Sequence, residues 1–478
     1  MTHPRLRLTV VGDVLLDRDV VGTVDRVCPD APAPVVDVID EVLRPGGAGL
    51  AAALLAADGH RVRLLATVGD DPVGRTVADV LRRRGVELVA LPTSGCTREK
   101  MRVRVSGQSL VRLDSGTATP PEGMPDSARS ALSDCDAVLV SDYGGGVLAS
   151  PEVRDAVAAA AKDRPVVWDP HVRGAEPVPG CRLVTPNSQE AAALAAAVSA
   201  DTSPLAAAGR DAELLRRRWQ AAAVCVTLGA RGALVGYGSG APLIVPAETV
   251  ERGDPCGAGD RFAASVTAAL GAGSVVSDAV QDAVRSAGAF VAAGGAECFV
   301  TTASVGGVTT DVVPAGTAAP TVDQVRDAGG LVVATGGCFD LLHAGHVSLL
   351  SAARSLGDAL VVCLNSDDSV ARLKGPGRPL VPESDRARVL EALGCVDQVV
   401  VFDESTPDEA LRRVRPDVWV KGGDYALTDL PEAAVVASWG GQTVVLPYLD
   451  GRSTSSLIGA ARTSSRNLTH AATAKEHS

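Results

Sequence analysis

Residues 254–265, DPCGAGDRFAAS, decide how the N-terminal two thirds of this 478-residue chain reads. Gly257-Ala258-Gly259 stands directly before an alanine-rich helical run, so successive backbone N–H groups can converge on an anion at the helix N-terminus. Asp260 follows at once. A carboxylate there is repelled by a bound anion unless it has a chemical role. The role that fits is to accept the proton of an attacking hydroxyl while the amides hold a transferring phosphoryl group. By themselves, the same residues serve equally as a glycine turn closed by an aspartate cap.

On either side, short β-branched runs alternate with alanine-rich stretches, the habit of a parallel α/β sheet. Strands are expected at 8–11, 63–68, 137–141, 166–169, 182–185 and 224–227. Segments 34–43 and 100–113 instead alternate polar and apolar residues, with Gly107 placed to turn a hairpin; they suit an antiparallel flap on the main sheet. Residues 301–328 are rich in Thr, Gly, Ala and Pro and read as a linker closing in a short helix, 321–328. A second strand–loop–helix series has strands at 331–335, 359–364, 398–402, 418–421 and 443–446. The fold class is therefore α/β in two parts. A domain over 1–310 carries the flap, a linker covers 311–329, a smaller Rossmann-like domain covers 330–462, and a tail over 463–478 frays.

Composition removes other classes. A net charge of −12 with 3% aromatic residues offers neither the basic surface nor the stacking rings of a nucleic-acid binder. The nearest pair among ten cysteines, Cys338 and Cys363, is 25 residues apart, so there is no CxxC zinc or redox pair. The first apolar run, LTVVGDVLLD, is broken by Gly12 and Asp13 and is too short for a bilayer. No signal peptide is visible, so a cytoplasmic protein without a membrane partner is expected.

The smaller domain opens with TGGCFDLLHAGHVSLLSAAR, residues 335–354. His343 and His346 stand at the start of a helix and can both face a polyphosphate. Two capping histidines or a metal pair are the competing readings, and no third ligand of suitable spacing supports metal. Only five lysines occur in the chain; Lys374 in RLKGPGRP and Lys421 in VKGGDY lie beside glycines and read as phosphate contacts, or else as solvated lysines.

Several further motifs keep company with the GAGD turn. GDVLLD (12–17), GGAG (46–49), VGDDPVG (68–74), SDYGGG (141–146), TPNSQE (185–190) and VTLGARGA (226–233) follow in an order that resembles the ribokinase-like sugar kinases of the PfkB family, over residues 6–305. The resemblance implies a catalytic base at Asp260 and sugar binding at Asp13, Gly46 and Gly47. It implies nucleotide binding at Asn187, Glu190, Thr227 and Gly229, with Gly257, Ala258 and Gly259 holding phosphate. It also implies a flap that closes over the sugar and joins a homodimer. The chain departs from that pattern at Leu50, in place of an asparagine; at Gly145 and His171, in place of lysines; and at Cys256, in place of a threonine. Lys100 is therefore expected to bind the sugar phosphate together with Arg102 or Arg104, and His171 to help once protonated near pH 6.5.

The smaller domain resembles the HxGH nucleotidyltransferases of the cytidylyltransferase-like group. In these a phosphate oxygen attacks the α-phosphorus of a nucleoside triphosphate and pyrophosphate leaves. This implies catalytic roles for His343 and His346. It implies nucleotide or phosphate contacts at Gly337, Phe339, Asp340, Lys374, Arg378, Lys421, Gly422, Asp424, Ser453 and Thr454. Mg²⁺ is expected to ride on ATP, with no protein metal ligand. Both halves in one chain resemble the bifunctional heptose enzymes of ADP-heptose synthesis. That implies ATP-dependent phosphorylation of D-glycero-D-manno-heptose 7-phosphate at O1, then adenylyl transfer from ATP to heptose 1-phosphate. Two alternatives stay open: another sugar 1-phosphate or nucleotide, and a kinase half that serves only for binding or dimerisation.

Overall fold

A computed structural model describes residues 5–31, 33–105, 108–196, 203–238, 240–248, 250, 253–298, 321–423 and 430–447. The Gly107 turn, the linker 311–320, Asp424, Ser453, Thr454 and the tail lie outside the described residues. Contacts divide the chain into one unit of Met1–Ser199, Ala207–Gly238 and Ala247–Thr309, and a second of Ala200–Ala206, Ser239–Pro246 and Thr310–Ser478.

In the first unit the strands are β1 (Arg7–Gly12), β2 (Val14–Val27), β3 (Pro34–Gly47), β4 (Arg61–Thr67), β5 (Val86–Leu91), β6 (Arg98–Val105), β7 (Gln108–Ser115), β8 (Ala137–Ser141), β9 (Val166–Asp169), β10 (Leu183–Val184), β11 (Val224–Thr227) and β12 (Ala233–Gly236). The main sheet runs β12-β11-β10-β9-β8-β1-β4-β5. Every pair is parallel except β11 with β12. All five residues of β8 are buried, as are Val166–Trp168 and Val224–Val226, which is why these runs are continuously apolar rather than alternating. The carboxyl ends of these strands deliver the loops that build the site.

The flap is a second sheet in the order β3-β2-β6-β7. It is mixed rather than antiparallel as expected, because β2 and β6 run parallel. The cause is β2 itself: after Asp13 the chain passes from β1 straight into a 14-residue flap strand that sequence reasoning missed. Buried charge pairs hold this sheet, Arg44 with Asp19 above all.

The second unit has a parallel sheet with Gln398–Phe402, Ala359–Asn365, Val332–Gly337, Val418–Gly422 and Gln442–Leu446 side by side in that order. The expected short helix is Val322–Asp327, started by a Thr321–Gln324 capping box. No helix among the described residues is long and apolar enough to cross a membrane.

Two candidate active sites

The helix Ala258–Gly271 starts from Gly257, whose φ of +79° favours glycine. A Cβ there would also come within 3.0 Å of the Leu50 side chain and 3.3 Å of Phe290. Leu50 thus packs under the turn as a buried apolar residue. The Ala258 amide donates to the Pro255 carbonyl at 3.0 Å, so it is spent within the turn rather than offered to an anion. Gly257, Gly259 and Asp260 border a cavity of about 280 Å³ together with Asp142, Tyr143, Asp169, His171, Asn187, Glu190 and Thr227. An apolar cavity of about 260 Å³ adjoins it, sharing Thr227, Gly259 and Phe262 and adding Gly229, Ala258, Val284 and Val291. The expected nucleotide residues are therefore brought together. Asn187 and Glu190 also act locally, as the capping box of the helix Ser188–Ala195.

Asp260 is 8% exposed and accepts a 2.9 Å hydrogen bond from the Tyr143 hydroxyl. Burial pushes its carboxyl up to about 7; Asp17 adds to this, while Tyr143 and Lys100 oppose it. Burial likewise raises Asp142 to about 6, with Asp13 nearby, and holds Asp169 well above the carboxylate range. A carboxylate balanced near neutrality is what a general base at this pH requires.

The expected sugar residues divide. Asp13 does not border this cavity; it is 3% exposed, and its carboxylate accepts the amides of Tyr143 (3.0 Å), Gly145 (2.7 Å) and Val147 (3.1 Å). Its carboxylate thereby fixes the SDYGGG loop, and the residue also borders a small pocket with Val14, Gly69, Thr97 and Arg98. Gly46 and Gly47 permit close approach: a Cβ at Gly46 would lie 2.4 Å from Asp17 Oδ2, and one at Gly47 3.4 Å from the Tyr143 ring. Lys100 stands opposite Asp17 in the β2–β6 register and bears electrostatically on Asp260. Arg102 pairs with Asp17 at 2.8 Å, and Arg104 pairs with Asp19 at 3.6 Å and with Glu297, so both guanidiniums hold carboxylates of the chain itself. The His171 expectation is corrected. Burial, Arg173 and Arg98 hold it below its usual 6.5, and its Nδ1 accepts the Arg173 amide at 3.1 Å. Cys256 is exposed.

Sequence reasoning missed Tyr143 and Asp17. Both stand inside recognisable motifs, SDYGGG and GDVLLD, but only the tertiary approach of β2 and the β8 loop to Asp260 gives them meaning.

In the second unit His343 stands at the N-cap position of the helix Ala344–Arg354, with no side-chain capping bond. Its ring stacks on His346 with centroids 3.9 Å apart, and Phe339 lies 5.2 Å beyond. Phe339 holds a left-handed φ of +44°, a strained position for a non-glycine residue. Its ring fills the space a Cβ on Gly337 would meet at 3.2 Å. Burial pushes His346 down to about 4, helped by the nearby charges of His343 and Lys374. Lys374 is thus within electrostatic reach of the histidines.

Asp340, 3% exposed, accepts from Arg378 and from the amides of Leu380 (2.6 Å) and Val381 (3.1 Å). Burial opposes ionisation there, but these donors outweigh it and hold the carboxyl below its usual range. Asp340 and Arg378 therefore tie the RP loop to the site. Lys421 is already paired with Glu432 at 2.9 Å, over the Trp419 ring, and Gly422 closes its strand. Arg386, which sequence reasoning passed over, is 2% exposed and donates to the carbonyls of Cys338 (2.6 Å), Asn365 (2.9 Å) and Val381 (2.9 Å) and to Asp367 (2.6 Å). It binds the loop of the histidine motif to the rest of the unit.

Residues 5–302 match the pfkB family of carbohydrate kinases, and residues 334–446 match the cytidylyltransferase-like family. The chain is a sugar kinase joined to a nucleotidyltransferase. Bifunctional protein HldE of Streptomyces coelicolor is 53% identical over 474 residues, covering 97% of this chain and 98% of the relative. The protein of that name from Caulobacter sp. strain K31 is 39% identical over 468 residues, covering 94% of each chain. That of Vibrio vulnificus strain CMCP6 is 38% identical over 463 residues, covering 94% and 96%. This chain belongs to the bifunctional HldE family.

Proposed function

We propose that the two units carry out the two transfers from ATP that lead to ADP-heptose. The first phosphorylates D-glycero-D-manno-heptose 7-phosphate at O1. As O1 attacks the γ-phosphorus, Asp260 takes its proton, the bond to the β-phosphate oxygen breaks and ADP leaves. Asn187, Glu190, Thr227, Gly229, Gly257 and Gly259 hold the nucleotide, and Lys100 faces the sugar phosphate from the flap. The second unit acts on heptose 1-phosphate, whose phosphate oxygen attacks the α-phosphorus of ATP and releases pyrophosphate. His343 and His346 stabilise the charge that builds there, and Lys374 adds a cation. The observation that carries the first half is Asp260, buried yet bordering the cavity shared with the nucleotide residues.

Mg²⁺ serves both steps by neutralising phosphate charge. The ion rides on the triphosphate, as Mg²⁺ does in nucleotide-using enzymes. Excess EDTA then stops both activities. The chain works in the cytoplasm, where ATP and sugar phosphates meet. It dimerises through the flap, where Ile39, Leu110, Val111 and Leu113 expose apolar surface; Leu113→Asp gives a monomer by light scattering if this is right. The defining experiment is mass identification of the products formed from ATP with each heptose phosphate. Heptose 1,7-bisphosphate and ADP-heptose support the proposal, and the absence of either one removes the corresponding half.

A further inference from the structure

Tyr143 has no part in the proton transfer just described, yet its hydroxyl donates to Asp260 Oδ1 at 2.9 Å. Its own placement is firmly set. Its amide donates to Asp13 at 3.0 Å, its ring lies against the Cβ-free face of Gly47, and it stacks on His171 at 6.4 Å. Asp260 needs such a partner. Asp17 from β2 brings negative charge toward it, Glu190 bears on both Tyr143 and Asp169, and Lys100 from β6 opposes Asp17. Donation from a neutral hydroxyl favours the ionised carboxylate without adding charge to a site that must admit ATP.

We infer that Tyr143 is a positioning residue whose hydroxyl favours the ionised form of Asp260 and leaves its second oxygen, Oδ2, to receive the proton of the sugar hydroxyl. Tyr143 retains its own proton throughout, since burial and the facing carboxylates hold the phenol well above 10. In the step, the O–H bond of the sugar breaks, its oxygen joins the γ-phosphorus, and the proton ends on Oδ2. Nothing beyond ATP and the sugar is needed. The inference rests on Asp260 being the base.

The test is the pH profile of kcat/KM for sugar phosphorylation by the full chain. Tyr143→Phe removes only the hydroxyl. It moves the acid limb up by about 1–2 pH units, the size expected for one hydrogen bond to a charged group. At pH 7 the loss is about 5- to 50-fold, and at pH 9 it falls to roughly 2-fold or less. Replacing the four tyrosines of the chain with 3-fluorotyrosine, a more acidic donor, moves the limb the other way. Adenylyl transfer by the Tyr143→Phe protein stays unchanged and reports that the chain is folded. An acid limb that stays in place in both proteins, or a loss that is equal at every pH, overturns the inference. Asp260→Asn separates the two readings: persistent phosphorylation removes Asp260 as base. An inactive Asn variant beside an unmoved Phe profile removes only the role of Tyr143.

Discussion

The Gly145 amide donates to Asp13 Oδ2 at 2.7 Å, and a Cβ on Gly145 would lie 2.7 Å from the Asp13 carboxyl carbon. Asp13 is thus the anchor of the loop that carries Tyr143 to Asp260. Asp13→Ala leaves three inward-facing amides without their acceptor. It should cost about 2–5 kcal/mol in unfolding free energy and abolish sugar phosphorylation, while adenylyl transfer survives at temperatures where the chain stays folded. Thermal melting followed with both activities checks this.

The same contact bears on the missing lysine. Placing lysine at Gly145 restores a cation only by forcing its Cβ against Asp13. Gly145→Lys should therefore raise KM for the sugar phosphate rather than lower it. A lowered KM would show that the loop shifts freely.

Titration of the kinase should be dominated by Asp260, not His171. His171 is held below 6.5 and is neutral at pH 7, so His171→Ala should leave the pH dependence of KM between pH 7 and 8 unchanged. Asp260, raised to about 7, must be ionised to act, so kcat/KM should fall as pH drops below 7. The raised value also has a stability consequence. From about pH 4 to 7 the unfolded Asp260 is ionised while the folded one keeps its proton, so its contribution to stability declines as pH rises through that window. Asp260→Asn should accordingly raise Tm at pH 8, measurable by calorimetry.

Much of the fold was legible because the main-sheet strands are buried on both faces. Residues 137–140, 166–168 and 224–226 are continuously apolar and buried, and each strand runs one residue further, to Ser141, Asp169 and Thr227. The flap was half legible. Segments 34–43 and 100–113 alternate, but Val14–Val27 carries Asp17, Asp19 and Arg18, which look solvated until Arg102, Arg44 and Glu99 are seen across the strands. The site divided in the same way. The 257–260 turn, Asn187, Glu190 and Thr227 announce themselves by local motif and meet in one cavity. Asp13, Asp17, Tyr143 and Arg386 act through partners distant in sequence, and no local spacing reveals such pairings.

In the second unit, Arg386→Met strips four acceptors of their buried donor and should destabilise that unit by about 3–5 kcal/mol. Adenylyl transfer should fail at a lower temperature than in the wild type, with sugar phosphorylation spared. His346, pushed down to about 4, stays neutral at working pH, so His346→Ala should not alter the pH profile of adenylyl transfer above pH 5.5. It should slow the step by roughly 10²–10³.

The central claim is that one chain holds two separate catalytic centres, one at Asp260 and one at His343 and His346. Its most direct test is mass analysis of products from Asp260→Asn and His346→Ala, each given ATP with heptose 7-phosphate and, separately, with heptose 1-phosphate. The account predicts that Asp260→Asn forms ADP-heptose but no bisphosphate, and that His346→Ala forms the bisphosphate while ADP-heptose drops by at least about 100-fold. Loss of both products in either folded variant, or bisphosphate formed by Asp260→Asn, would contradict it.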